Sequence, residues 1–440
     1  MRVTNNKQLI TDNGGRESPP SEVISYMFSV ISSRDGQSLI EVVIGLAIGS
    51  ILIGASAFAI STMLQTNLAS QKGQAATAFA QELLNKARVY GSASWQSLYG
   101  LTKASSTQYF LNASGTTYAV VPGREGMLDN DVTNGLVAEW KFDEDAASTS
   151  TTTYDATGNG NNGTLTNSPT RATSTCRIVN CLKFDGATQR VTLGPVQIGT
   201  LTTVSAWIVA TTTLQRPVLS NRGSGLYFGI TGGKFFTYYN TATPPAMVSA
   251  KSVNDNAWHL VTWVSNGTTS VMYIDGLLDN TQAQSRSTST SNGYIAFDSP
   301  NIEYFPGSID DVRIYNRALS ADEVRQLWNS NIFVRYFYVE NICRTNNASS
   351  SISGVAPCGS GSADDPSTQK VTAVTQWTTG QGAGITTLSD YLTRWKNTIF
   401  RQTDWSGGGG ATSPVTSPGS TFSSSSGANF GGGSIRIQGL

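Results

Sequence analysis

Arg34-Asp35-Gly36-Gln37-Ser38-Leu39-Ile40-Glu41-Val42-Val43-Ile44-Gly45-Leu46-Ala47-Ile48 sets one acidic side chain inside an apolar run. From Val42 to Ser70 no charged residue follows, which is long enough to cross a bilayer, since about 20 apolar residues suffice. A carboxylate at the head of such a segment is costly in hydrocarbon, so Glu41 calls for a cation that neutralises it. If the chain were cut between Gly36 and Gln37, the new amine would lie one helical turn from Glu41, at the i,i+4 spacing where groups on a helix meet. A secretory signal would instead carry a basic flank before its apolar core and a small-x-small cleavage site after it.

The Gly36-Gln37-Ser38-Leu39-Ile40-Glu41 stretch and the apolar run behind it resemble the N-terminus of type IV prepilins and the related pseudopilins of type II secretion. The resemblance implies a prepilin peptidase that cuts after Gly36 and methylates Gln37. It makes Glu41 the fifth mature residue, the family's assembly position. It also implies an inner-membrane anchor before assembly, and afterwards a fibre built with other pilin subunits at the cell surface. Gln37 departs from the hydrophobic first residue usual in mature pilins, and Asp35 cancels the basic charge of Arg34 in the leader. A start at Met27 gives a leader of the family's usual length, whereas a start at Met1 adds a polar extension.

Composition narrows the rest. The 440 residues suggest about two domains. The 29 basic and 29 acidic residues balance, so there is no electrostatic case for nucleic acid. Charged residues are sparse while Ser, Thr, Asn and Gly abound, a mix suited to extracellular β-structure with many turns. Cys176 and Cys181 form one local pair and Cys343 and Cys358 another, and behind an export segment these read as two disulfides. A zinc site would need other spacings and nearby histidine.

Apolar Ala75, Ala78, Phe79, Leu83, Leu84 and Ala87 recur at three and four spacing, which extends the helix from Ser38 to about Val89. Gly45 and Gly49 form a G-x-x-x-G that either lets helices approach closely or is merely tolerated in a membrane helix. From Gly135 onward the text changes to short alternating segments bounded by Gly, Asn, Asp and Ser, which predicts a β-sandwich or jelly roll. Five pieces then appear in order: Leu182-Lys183-Phe184-Asp185-Gly186, Val204-Ser205-Ala206-Trp207-Ile208, Trp258-His259-Leu260-Val261, Tyr273-Ile274-Asp275-Gly276 and Pro306-Gly307-Ser308-Ile309-Asp310-Asp311-Val312-Arg313-Ile314-Tyr315-Asn316-Arg317-Ala318-Leu319-Ser320. They resemble a laminin-G-like, concanavalin A-like lectin domain.

The expected fold class is α+β: a long pilin helix with a small β-sheet head, and an all-β concanavalin A-like jelly-roll sandwich inserted in that head. Strand-like Tyr118–Val121 and Phe333–Glu340 flank the sandwich and read as two parts of one interrupted sheet. The expected divisions are a leader 1–36, a membrane or fibre helix 37–90, a discontinuous head 91–133 and 332–405, the sandwich 134–331 and a flexible Gly/Ser-rich tail 406–440. A stalk followed by two independent domains is the alternative. Leu388–Asn397 is expected to be the last regular element, with order ending at Trp405.

Motifs for chemistry are missing. No G-x-S-x-G, HExxH, phosphate loop or dinucleotide glycine pattern occurs. The single histidine, His259, reads as structural. Two acidic pairs, Asp143 with Glu144 and Asp310 with Asp311, invite comparison with the carboxylates of glycoside hydrolases, yet they fall in motifs that non-catalytic members of the resembled family share. The resemblance implies instead a calcium site from Asp155 and Asn159 with Asp310 or Asp311, all hard oxygen donors; the alternative is that these residues only cap turns. No organic cofactor is indicated. Two functions follow: a minor pilin whose lectin-like module adheres to a glycan or a surface protein, or a secretion pseudopilin whose insert is a spacer or cargo contact. Tyr238, Tyr239 and Trp263 are the aromatic candidates for stacking on sugar.

Overall fold

A computed structural model describes residues 39–114, 117–145, 147–221, 225–239, 247–283, 289–299, 301–345, 351–379, 382–394, 428–429 and 436–437. Two units divide at Ala69 and Ser70. In the first, the helix Leu39–Ala93 begins with Glu41 in its first turn, and its apolar side chains stand uncovered, Ile53 and Phe58 at 73% and 72% exposure. Neither Gly45 nor Gly49 has a neighbour within 4 Å of where a Cβ would sit.

In the second unit the same helix buries one face. Ala76, Ala80, Leu83, Leu84 and Ala87 are covered, so the buried stripe runs one position off the expected one at its start, with Ala78 exposed and Ala75 half-buried. Phe79 stays on the seam, its ring edge-on to Phe333 at 5.3 Å. The stripe packs on a sheet ordered Thr117–Pro122, Tyr109–Ser114, Ile332–Thr345, Ser362–Thr379, Gly382–Thr393. Tyr109, Leu111, Phe337, Val339, Val371 and Ala373 supply the sheet side of that core. The expected last element is an edge strand that ends at Thr393; residues 395–405 and most of the tail lie outside the described residues.

The sheet therefore takes strands from both sides of the sandwich. Glu125–Leu128 pairs antiparallel with the start of the returning strand, Ile332 opposite Leu128 and Arg335 opposite Glu125, and the chain between makes the sandwich. One layer runs Met247–Ser252, Lys234–Tyr239, Leu226–Thr231, Arg216–Asn221, Ser289–Ile295, Arg190–Ile198, Gly163–Thr166, Thr152–Thr153. The other runs Leu277–Ala283, Thr269–Ile274, His259–Asn266, Leu201–Ala210, Pro306–Tyr315, Cys181–Asp185, Thr170–Ala172, with Leu136–Trp140 also on Pro306–Tyr315. Period-two alternation sends Phe228, Phe235, Trp140 and Trp263 between the layers.

Candidate functional site

The same alternation that buries Leu226, Phe228 and Phe235 turns Tyr227, Phe236 and Tyr238 to the outer face of the first layer. Tyr227 and Tyr238 face each other across the ladder and their rings stack at 5.3 Å and 16°. Phe236 stands edge-on to both, at 5.6 and 5.7 Å. Gly229 keeps the backbone close beneath them: a Cβ there would sit 2.2 Å from the Arg216 carbonyl.

The Tyr227 hydroxyl donates to Glu303 Oε2 at 2.8 Å, and burial followed by that carboxylate pushes its pKa well up. Glu303 belongs to a short hairpin, Phe297–Asp298 with Glu303–Tyr304, which carries a second aromatic group. Phe297 lies 4.7 Å from Tyr304 and 5.1 Å, edge-on, from Tyr294, and the Arg190 guanidinium sits 4.9 Å over its ring. Tyr238, Tyr294, Tyr304, Glu303 and Arg190 are all half-buried. Tyr227, Phe236 and Phe297 are buried, so the arrangement offers the rings of Tyr238, Tyr294 and Tyr304 beside an acid and a guanidinium, which suits C–H and O–H rich ligands. Trp263 is corrected as a candidate: it is fully buried between the layers. The side chain of Tyr239 lies outside the described residues. His259 is held between Asp275 and Asp255, Nδ1 at 2.9 Å and Nε2 at 3.0 Å, and those hydrogen bonds raise its pKa.

The acidic pairs lie elsewhere. Asp143 is buried and accepts from the Gly126 and Asn180 N–H groups at 2.7 and 3.3 Å. Asp310 is buried and accepts from Ile178 N–H at 2.8 Å. Burial pushes both carboxyls well above the usual range, and Asp143 adds its repulsion to Asp310. Asp311 accepts twice from Arg313 Nε, at 2.9 and 3.0 Å. Arg313 also meets Glu139 at 2.7 Å and pairs with Asp131. A second chain of charge, buried except at Glu82, joins Lys141 to Glu125 at 3.0 Å, Glu125 to Arg335 at 2.7 Å and Arg335 to Glu82 of the long helix at 3.0 Å. Burial alone would push Glu125 up, but Arg335 and Lys141 overcome it and hold the carboxyl well below the usual range.

The expected calcium ligands are not brought together as one donor set. Asp155 is fully buried, and its carboxylate accepts from Glu139 N–H, Thr157 N–H and Oγ1, and Asn161 N–H and Nδ2 at 2.7–3.1 Å. Asn159 spends its amide on the Val137 carbonyl at 2.9 Å. Among the described residues no three acidic, histidine or cysteine side chains converge on a metal-sized point. Asp155 acts as the hub of its turn. Millimolar calcium is accordingly expected to leave the thermal melt within about a degree, since only a ligand selective for the native state stabilises it. A rise of several degrees that EDTA reverses would put the cation back.

Cys176 is bonded to Cys181 and Cys343 to Cys358, with Cα separations of 5.5 and 5.4 Å. The first loop presents Ile178 to Asp310 and lays Arg177 over Trp207 at 4.3 Å. The processing residues Gly36 and Gln37 lie outside the described residues, whereas Glu41 stands exposed on the helix.

Residues 31–57 match the prokaryotic N-terminal methylation motif, and residues 185–325 match the concanavalin A-like lectin/glucanases superfamily. The chain thus carries a prepilin-type N-terminus, with a single-helix anchor, and a concanavalin A-like domain. No curated protein matches it. Among solved structures it is similar to domain 4 of AbnA, a GH43 extracellular arabinanase from Geobacillus stearothermophilus, in complex with arabinotriose, at 18% identity over 44% of this chain and 98% of that one, TM-score 0.36. The binding domain of Paraclostridial Mosquitocidal Protein 1 gives 12% identity over 56% and 72%, TM-score 0.38. Trypanosoma rangeli sialidase in complex with sialic acid gives 17% over 45%, TM-score 0.35, and this chain spans 33% of it.

Proposed function

We propose that the chain is a minor type IV pilin-like subunit that assembles through its N-terminal helix and displays the concanavalin A-like module at the cell surface to adhere to a glycan. The observation that carries this reading is the half-buried aromatic face of Tyr238, Tyr294 and Tyr304 on a module borne by a chain with a methylation motif. The shared ladder of Glu125–Leu128 and Ile332–Arg335 supports one head, 91–133 with 332–405, interrupted by the module at 134–331. An insert of that bulk suits an occasional or tip subunit better than every position of a packed fibre.

The module is non-catalytic in this reading. Carboxylates that cleave a glycosidic bond must flank it, whereas Asp143 and Asp310 are only 2% and 0% exposed and Asp311 is bound by Arg313.

The test is a glycan array probed with the full chain in detergent. One aromatic face contributes about 1 kcal/mol, so Tyr238→Ala together with Tyr304→Ala should weaken the leading signals roughly thirtyfold. Unchanged binding in the double variant would remove this face from the reading. Wild-type protein that binds no glycan yet enters fibres normally would favour a pseudopilin-like spacer or a protein ligand.

A further inference from the structure

A cleft of about 400 Å³ opens where the module meets the head, lined by Gln108, Gly123, Arg124 and Val334 from the head side and by Asp145, Thr173, Val179 and Asn180 from the module side. Its polar groups are fixed but not consumed. Arg124 donates from Nε to Gln108 Oε1 at 2.5 Å and lies over the Tyr336 ring at 5.4 Å, which orients the guanidinium, and its terminal nitrogens have no hydrogen-bond partner among the described residues. Asn180 is 8% exposed and gives its amide N–H groups to the Asp143 and Glu144 carbonyls at 3.1 and 3.3 Å, so its side-chain oxygen remains an acceptor. Asp145 holds the Ala147 N–H with one oxygen at 2.9 Å, and the other has no partner among the described residues.

Arg124 and Asp145 line one cleft, yet neither ion-pairs within it among the described residues. A cation and an anion held apart in a single recess match a ligand that carries an anion at one end and hydrogen-bond donors at the other. Three oxygen acceptors, on Asp145, Asn180 and Thr173, suit hydroxyl groups, and a guanidinium suits a carboxylate held by two parallel bonds. Val179 and Val334 supply small apolar contacts of the kind that pack on a sugar ring. The volume lies at the small end of ligand sites, which run from about 300 to 1,000 Å³. We infer that this cleft is a second, separate binding site, for one or two residues of an acidic saccharide, with the uronate-type carboxylate on Arg124 and the ring hydroxyls on Asp145, Asn180 and Thr173.

The site exists only where head and module meet, so the full chain in detergent is the material to test. Titration calorimetry compares methyl glucuronide with methyl glucoside, which share a ring and differ in the carboxylate. The glucuronide is expected to bind about tenfold more tightly, the discrimination of one charge-assisted pair. Arg124→Ala should erase the difference, and Val334→Trp, which fills the cleft, should abolish binding of the glucuronide. Arg124 is exposed, so its variant should melt like the wild type. Tyr238→Ala should leave the preference intact, which separates this site from the aromatic face and its failure from that of the adhesion reading. Equal binding of the two glycosides, no binding of either, or a preference that survives Arg124→Ala would overturn the assignment.

Discussion

Glu125→Ala is expected to lower the melting temperature by roughly 10 °C. Glu125 stands between Arg335 at 2.7 Å and Lys141 at 3.0 Å, and the Arg335 side chain is 1% exposed. Deleting the carboxylate leaves two buried cations without the charge between them. Removing one member of a buried pair costs about 3–5 kcal/mol, and for a body of this size each kcal/mol moves the midpoint by about 2–4 °C. Glu125→Leu with Lys141→Met should recover part of the loss, because it removes the buried charge along with its partner. The pH dependence has a definite sign. The folded-state pKa of Glu125 is depressed, so its contribution is complete above the unfolded value near 4.3 and is lost as pH falls toward the folded value. In melts followed by circular dichroism, the gap between wild type and Glu125→Ala should thus narrow from pH 7 to pH 3.5 without closing. A drop under about 2 °C at pH 7 would show that the pair contributes nothing net.

Glu41→Ala is expected to spare membrane insertion and to reduce incorporation into fibres at least tenfold. The helix keeps its apolar length without the acid, and a comparable acidic side chain costs about 2.5–3.5 kcal/mol at the centre of a bilayer, so insertion does not depend on it. We propose that Glu41 contributes a countercharge for the amine that cleavage after Gly36 would create at Gln37, on its own subunit or on a neighbour, in a low-dielectric fibre core. Mass spectrometry of the mature N-terminus should find cleavage between Gly36 and Gln37 with methylation in both proteins. Immunoblots of sheared-fibre and membrane fractions then measure assembly. Equal fibre content, or a mature chain that begins anywhere other than Gln37, would sink the pairing argument.

Architecture was legible where periodicity is local. The five sandwich motifs and the apolar run each announce themselves within a few residues, and Tyr118–Val121 and Phe333–Glu340 fall on strands of one sheet. The helix Ala321–Asn329 was missed although its signal was present: Ser320 and Glu323 form a capping box, each side chain holding the other's backbone N–H. The aromatic face was harder. Tyr238 is a candidate from the sequence and Phe236 is not, although alternation puts both on one face; Phe297, Tyr304 and Arg190 join them through a hairpin and a strand distant in sequence, and only the sheet order brings them together. Trp263 misled for a related reason, since its strand is inward-facing at that residue and sequence alone does not say which side of a two-layer sandwich faces water. For the acids, spacing carries donor type but not surroundings: Asp155 reads as a metal ligand from its loop, and only the folded turn gives its carboxylate five hydrogen bonds.

The two legs that join module to head leave side by side, and this sets how the junction responds to a pull. Tension carried by the legs reaches the hydrogen-bonded Asp129 and Asn331 first, then Leu128 and Ile332, Met127 and Phe333, Gly126 and Val334, and last Glu125 and Arg335. A ladder loaded from one end peels rung by rung and offers little resistance at each step, unlike strands dragged past one another lengthwise. The final rung is the one whose side chains are tied onward to Lys141 and to Glu82. Lys141 and Glu144 of the module also hold that far end directly, on Glu125, the Gly126 carbonyl and Gly123, so flow on a cell surface would load both ends of the neck at once.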